Sequence, residues 1–512
     1  MSLDSLPQEI QIEILAHLDY RSLLRSASTC RSLYQTCKGS LQVQYIIELA
    51  MNGMNDSGSN IPHAELLSRL RDLRGAWEVL AWKRVKKVLI GDDCLAYELV
   101  AGVFALSNGD GLMFNWLPSA TVDGRTLERR SLELTVRDFA MDPTQDLIAI
   151  LEDDQIPISF HHGRNVRVHI KTISTNEYHP ASRQGILAFQ ILPDQDYGNG
   201  IQNAMLQVAY DTVALFVTKA GLPFKSRILI WNWCNGTLVY DSDQVECGGS
   251  LPTDIHDFSL LNRNSFVLTS VRDAGVILVY SFLPSAISLT PPRLAVALHF
   301  PAICTAYRVV KLSIHSGPIH ANSPDDSLFF TSPESHIQVF TVVYTSSDQR
   351  GHRPISYWLF VHDRTLLEYI ERSKSSPRGA TDTELDVEWG SWGEMNTRFF
   401  PSRSPVHWLR YVHGQRVVCS STENEYVDVL DFNFHTTLRS TTSGYTPQRY
   451  PISEPSSIYP QYLFQHNFVT RLPYQVSTRT IGERFYASMI DEERLIGLKM
   501  ERDIMELHVY SF

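Results

Sequence analysis

RDFAMDPTQDLIAI, residues 137–150, decides the fold. Arg137 to Met141 reads as a strand, Asp142-Pro143 marks a turn, and Leu147 to Ile150 is a second strand. Val166-Arg-Val-His-Ile170 supplies a third, and the spacing predicts a fourth near Asn176-Glu-Tyr178. The same plan returns in Ile255-His-Asp-Phe-Ser-Leu260, Ser265-Phe-Val-Leu268 and Gly275-Val-Ile-Leu-Val-Tyr280. Arg227-Ile-Leu-Ile-Trp-Asn-Trp233 and Thr237-Leu-Val-Tyr240, joined through Asn235-Gly236, read as the outer hairpin of another unit. Weaker copies begin near Leu95, Val310, Trp408 and Phe485, the last ending in Leu507-His-Val-Tyr-Ser-Phe512.

A unit of four strands cannot bury both of its faces, so several must stack around an axis, which is the logic of a β-propeller. About seven such units are legible. The predicted domain is therefore large, antiparallel and all-β, spanning 88–512. Ile230-Trp231-Asn232-Trp233 with its turn resembles the third strand of WD-type blades, although the Gly-His and Trp-Asp marks of that family are mostly missing. A two-sheet β-sandwich assembly is the alternative arrangement of the same strands. No sustained L-x-x-L-x-L pattern speaks for leucine-rich repeats.

Upstream of Val88 the period becomes helical. Leu41, Tyr45 and Leu49 are four apart in a helix that stops at Asn52-Gly53, and Asn55 to Ser59 reads as a polar loop. Pro62 opens the clearest helix, with Leu66, Leu67, Leu70, Leu73, Trp77 and Leu80 on one face. Residues 41–87 thus read as a helical linker. Two stretches interrupt the β pattern downstream, Glu371 to Glu394 and Thr436 to Pro460. Both are long for hairpin loops and are expected as surface insertions or as a recognition loop. Trp389 and Trp392 either anchor a partner there or pack the loop down.

The first forty residues carry the most specific spacing. Pro7 suits a helix start and Glu9 the positive end of its dipole. Ile10, Ile14, Leu15 and Leu18 recur at three- and four-residue steps. Asp19 can cap a second helix bearing Leu23, Leu24 and Ala27, and Ser28 or Thr29 a third bearing Cys30, Leu33 and Tyr34. Lys38-Gly39 is a fitting stop. Three helices this short cannot bury all these side chains among themselves, so they pack either on the rest of the chain or on a partner.

Leu6-Pro7-x-Glu9-Ile10, Ile14-Leu15, Leu18-Asp19, Leu23-Leu24 and Cys30-Arg31 follow the order and spacing of an F-box, and residues 1–40 resemble that family. The resemblance implies a three-helix module that docks on the Skp-type adaptor of a cullin-RING ubiquitin ligase. It assigns Leu6, Pro7, Glu9, Ile10, Ile14, Leu15, Leu18, Leu23, Leu24, Cys30 and Arg31 to that interface. Ser22 stands where many members have an acidic residue, and Tyr34 where many have Trp. The implied role is that of a substrate receptor, the β domain holding an unidentified target protein. A non-ligase scaffold and a propeller enzyme with a helical cap are the alternatives.

Composition narrows the classes. The net charge of −11 argues against nucleic acid as the partner. The basic run Lys83-Arg84-Val85-Lys86-Lys87 reads as a solvated end of a helix or strand. Seven scattered cysteines (Cys30, Cys37, Cys94, Cys234, Cys247, Cys304 and Cys419) show no C-x-x-C spacing and fit reduced thiols in the cytoplasm or nucleus. No run approaches the ~18 apolar residues of a membrane span, and Asp4, Gln8 and Glu9 do not suit a signal peptide. No nucleotide-binding, zinc-protease or nucleophile-elbow motif occurs, so neither catalysis nor a cofactor is predicted. His161-His162, His352, His362, His407 and His413 have no ligand spacing. Asn108-Gly109-Asp110-Gly111 lacks the further acids of a calcium loop and reads as a turn. Ser376-Pro377 and Thr446-Pro447 are too common as dipeptides to assign a modification.

Overall fold

The computed structural model describes residues 6–91, 94–153, 164–191, 201–219, 226–244, 251–252, 254–283, 291–325, 327–347, 353–375, 386–402, 410–420, 425–433, 449–459, 462–501 and 504–512. Within them the antiparallel β domain forms a seven-bladed propeller. The innermost strands of blades 1 to 7 are Ala96–Val100, Val136–Asp142, Ile201–Ala209, Ile255–Asn262, Tyr307–His315, Val412–His413 and Ala487–Ile490. Each pairs with a second strand and then two more outward, and blades 4 and 6 carry a fifth at the outer edge, Asp386–Val387 and Arg449–Ile452.

Blade 7 closes the ring. Its outer strand, Arg84–Gly91, comes from the N-terminal side and pairs antiparallel with Ile504–Ser511. Blade 2 has the expected first three strands, but its fourth is Ile186–Ile191 and not the Asn176–Tyr178 segment. Asn176 takes a left-handed φ of +63° and turns the chain, leaving only an isolated bridge from Tyr178 to Lys171. Asn235-Gly236 makes the hairpin of blade 3, Gly236 at φ +76°. Asn108–Gly111 is a turn in which Asn108 Oδ1 accepts the Gly111 N–H at 2.8 Å.

The Asp-Phe pair shared by the two clearest repeats has a structural meaning. Both aspartates follow a register shift in the innermost strand, at Val136/Asp138 and Ile255/Asp257. Each reaches into the next blade: Asp138 Oδ2 accepts the Leu206 N–H at 2.9 Å, and Asp257 Oδ2 the Ile314 N–H at 2.8 Å. A bulge re-aims one side chain without ending the strand, and here it ties neighbouring blades at the axis.

Five helices precede the ring: α1 (Gln8–Ala16), α2 (Tyr20–Thr29), α3 (Arg31–Gly39), α4 (Leu41–Met51) and α5 (His63–Val79). Asn55 and Asp56 are not loop. Met54–Asp56 forms a strand paired with Phe329–Thr331, a partner some 275 residues away. That partner lies in a strap, described at residues 316–325 and 327–336, between the first two strands of blade 5. The strap crosses the end of the ring: the Ala321 N–H donates to Asp142 Oδ2 of blade 2 at 2.8 Å, and the Asn322 N–H to Thr144 Oγ1 at 3.0 Å.

Parts of both predicted insertions lie among the described residues. Blade 5 carries α6 (Asp363–Ser375) and α7 (Trp389–Asn396) before its fourth strand, Thr397–Pro401. Trp389 and Trp392 are buried, and Trp392 Nε1 donates to the His299 carbonyl at 2.9 Å. Both pack the insertion down. Buried Arg398 ties in the second insertion, donating to the carbonyls of Leu472, Glu454 and Ile452 and to Ser456 Oγ. Ser376-Pro377, Thr446-Pro447, Trp408, Cys247, His161-His162, His352 and His407 lie outside the described residues.

Candidate functional site

The N-terminal module is built by its caps. The Pro7 carbonyl accepts the Gln11 N–H at 3.1 Å to start α1. Asp19 caps α2, taking the N–H groups of Arg21 and Ser22 and the Ser22 hydroxyl at 2.6 Å. Those Ser22 bonds hold its carboxyl below the usual range. The cap of α3 is Cys30, whose sulfur accepts the Leu33 N–H at 3.5 Å. Ser28 and Thr29 do not cap it, because their hydroxyls bond back to the Arg25 and Ser26 carbonyls inside α2. Gly39 ends α3 with no left-handed residue. Ser40 is extended, at φ −91°, and its hydroxyl caps α4 at once.

Packing splits the predicted interface residues in two. Leu15 and Leu23 are fully buried with Leu33, Cys37 and Val43 in the module's core. Leu6, Leu18 and Cys30 are half-buried. Pro7, Glu9, Ile10, Ile14, Leu24 and Arg31 face solvent, with Ile10 48%, Ile14 40% and Leu24 45% exposed. So α1 is apolar on two faces. Its inward face also holds polar Gln11, which takes the Thr36 hydroxyl at 2.9 Å and donates to the Leu6 carbonyl at 2.9 Å. That link fixes how the Leu6-Pro7 segment enters α1. Tyr34 and Leu41 add exposed apolar surface. The spacing of Leu41 predicts only a place in a helix stripe.

Helix α4 joins the module to the ring because its two faces belong to different cores. Val43, Ile46 and Ile47 pack with Leu15 and Leu23, while Tyr45 and Leu49 pack with Leu66, Leu67, Leu70 and Phe329. Half-buried Arg74 and more exposed Arg71, both on α5, reach Glu48 of α4 at 3.1 and 3.3 Å. Helix α5 then ends on the ring, at left-handed Leu80, φ +52°. The Asn433 side chain donates to the Met51 carbonyl at 2.9 Å, and Ser477 Oγ to that of Glu78 at 2.8 Å.

Beneath this joint sits a buried acid–base group. Glu492, in the first turn of blade 7, lies 2.9 Å from His413 Nε2 and 3.5 Å from His320 Nε2. Burial opposes its charge, yet the two histidines hold its carboxyl well below the ordinary value. His320 is pushed up by Glu492 against its own burial, and burial drives neighbouring His336 down to about 3. Of the histidines singled out in sequence, His413 belongs to this group, and His362 is buried nearby. His320, His336 and Glu492 had no sequence signal, since the strap that holds both histidines and the blade 7 turn that holds Glu492 are far apart in the chain. Among the described residues no cluster of histidine, cysteine and acidic side chains has a metal-binding arrangement. The basic run 83–87 lies on the outer strand of blade 7, where Lys86 and Lys87 face Asp123 and Glu506 at 3.7 and 3.8 Å and Arg84 bonds Asp123.

Fold and surface together define an F-box-like domain mounted on a seven-bladed β-propeller. Residues 3–42 match the F-box-like family model. No curated protein matches the chain in sequence. Among solved structures it is similar to the WD40 domain of SCAP from fission yeast, at 8% identity over 83% of this chain and 98% of that one, TM-score 0.35. Another is the β-propeller domain of Cps50 (Swd1) from Myceliophteria thermophila, at 8% over 83% and 98%, TM-score 0.31. A third is the polysaccharide lyase Uly1, at 9% over 82% and 90%, TM-score 0.37. Among the described residues no helix is long and apolar enough to cross a membrane.

Proposed function

We propose that the chain is a substrate-recognition subunit of an SCF-type ubiquitin ligase, working in the cytoplasm or nucleus. Pro7, Glu9, Ile10, Ile14, Leu24 and Arg31 dock on a Skp-type adaptor. Leu6, Leu18 and Cys30 flank them, and Leu15 and Leu23 support the surface from inside. The observation that carries this reading is the outward face of α1 and α2. Ile10, Ile14 and Leu24 stand in solvent, and apolar groups left exposed in this way mark interaction surfaces.

The propeller holds the target at the end opposite the strap and linker. The work done is effective concentration: a target bound to a rigid receptor stays within reach of the ligase's conjugating enzyme. The α4 and α5 joint supports this because it gives the two domains one fixed geometry. No reaction is assigned to the chain itself.

The test is reconstitution with the adaptor, a cullin-RING pair and a conjugating enzyme, reading ubiquitin transfer to lysines of this chain and of proteins bound to it. Transfer that needs the adaptor, and is lost in a Leu6→Ala, Pro7→Ala, Ile10→Ala triple variant, supports the ligase reading. A complex with the adaptor that excludes the cullin replaces it with a scaffold.

A further inference from the structure

The strap carries two buried histidines, His320 near its start and His336 at its end, in opposite surroundings. His320 has both ring nitrogens against acceptors. Nδ1 bonds the Asn322 carbonyl at 2.8 Å, and Nε2 faces Glu492 Oε1 at 3.5 Å. A carbonyl and a carboxylate only accept, so both nitrogens carry hydrogen and the ring is an imidazolium. Burial opposes that charge, and the Glu492 contact overrides it. His336 has no carboxylate within ion-pair distance among the described residues, and burial keeps it neutral.

Thr331 couples these two histidines to the mounting of the N-terminal helices. It pairs with Met54, just after α4, and Phe329 of the same strand packs with Tyr45 and Leu66 in the core between α4 and α5. The Thr331 N–H donates to Glu492 Oε1 at 3.4 Å, and its hydroxyl bonds His413 Nε2 at 3.2 Å. The carboxylate oxygen that faces His320 is therefore the one that holds the strap strand. The main chain of Glu492 is tied to α5 as well, since its carbonyl accepts the Trp77 indole N–H.

Few other charges reach this group. Asp142 of blade 2 is the other acid near His320, and its Oδ2 holds the Ala321 N–H of the strap. His413 and Arg410 approach His336 from blade 6, and Arg410 is paired with Glu98 of blade 1. Glu493 and Arg494 share the turn of Glu492, and Arg494 is paired with Asp491 at 3.0 Å.

The two histidines respond to pH with opposite sign. Opening the strap returns His320 to its ordinary value near 6.5, below its value in the closed strap. Its contribution is full below pH 6.5 and is lost as pH rises through the closed-strap value. Opening returns His336 upward, from about 3 to about 6.5, so it favours the closed strap above pH 6.5 and favours opening as pH falls below it. Glu492, held well below its ordinary value, stays charged across this range.

We infer that the strap and the Glu492 group form a pH-dependent catch on the mounting of the F-box-like domain, locked while His320 is charged and His336 neutral and released when either condition fails. The joint between helices and ring is then stiffest near pH 6.5 and loosens on both sides. The inference is independent of what docks on α1 and α2.

The test is hydrogen exchange of the full chain at pH 5, 6.5, 8 and 9.5, each amide's rate being divided by its intrinsic rate at that pH. Protection at residues 54–56 and 329–331 is expected to peak near pH 6.5. It should fall about threefold or more by pH 9.5 and about tenfold or more by pH 5. His320→Gln should flatten the alkaline fall, and His336→Gln the acid one. Glu492→Gln keeps the size of the side chain and reads the alkaline fall if His320→Gln does not fold. A flat profile in the native chain overturns the inference without any variant. So do falls that survive the substitutions. Changes of the same size at Thr212–Lys219 of blade 3 would show an effect on the whole ring and overturn the catch.

Discussion

Trp77 stacks on Phe512 with ring centroids 3.9 Å apart, so the helix that carries the F-box-like domain rests on the strand that closes the ring. The indole N–H donates to the Glu492 carbonyl at 3.0 Å, and the Arg416 guanidinium lies 4.8 Å over the same ring. One side chain thus joins linker, blade 7 and blade 6. Trp77→Ala is expected to cost about 3–5 kcal/mol, the range for removing a buried aromatic. Denaturant unfolding measures it. A loss within about 0.5 kcal/mol, the range of a plain surface change, would mean that the stack does not seat the helix.

Leu15 and Leu24 separate stability from recognition. Leu15→Ala should cost about 2–5 kcal/mol, as for other large-to-small core changes. Leu24→Ala should stay within about 0.5 kcal/mol, as for a surface change. Thermal unfolding of both variants checks this. Equal losses would mean that Leu24 is not the open position described.

Among the described residues no carboxylate bonds Arg398, which holds its carbonyl acceptors with its guanidinium 4.9 Å over the Tyr474 ring. Arg398→Met keeps much of the volume and removes the donors. The stranded carbonyls should cost about 2–4 kcal/mol. Limited proteolysis should then cut first within 449–472, and cleavage elsewhere first would point to a different role.

Burial holds His336 neutral down to about pH 3, whereas its unfolded value is near 6.5. Between those values the unfolded chain binds the extra proton, so His336 makes stability fall as pH drops from about 6.5 toward 3. The full effect is about 5 kcal/mol. His336→Gln should therefore lose less stability than the native chain across that window. Parallel pH dependences for the two would contradict the assignment.

The blades were legible because hairpins are local. A two-residue period and an Asn-Gly turn are properties of neighbouring residues, and so is the Asp-Phe pair, although its cross-blade bond to Leu206 or Ile314 is not. Where a partner lies far away, reading failed. Asn55-Asp56 looked like loop because its strand partner, Phe329-Phe330, comes from the strap. Glu492, His320 and His413 meet only because the ring closes. The F-box-like spacing named the right module, yet periodicity could not tell Ile14 from Leu15. Two apolar faces on one short helix produce one continuous pattern, and only packing shows which face α3 and α4 cover.

The central claim is that the open face of α1 and α2 is the adaptor-binding surface. The most direct measurement is the affinity of the full chain for a purified Skp-type adaptor, native against Ile10→Asp and Leu24→Asp, with thermal unfolding of each run in parallel. A stoichiometric complex is predicted for the native chain. Each variant should weaken it about a hundredfold or more, a change of about 2.8 kcal/mol, with unfolding unchanged. A native chain that folds and does not bind the adaptor, or variants that bind as tightly as the native chain, would contradict the account.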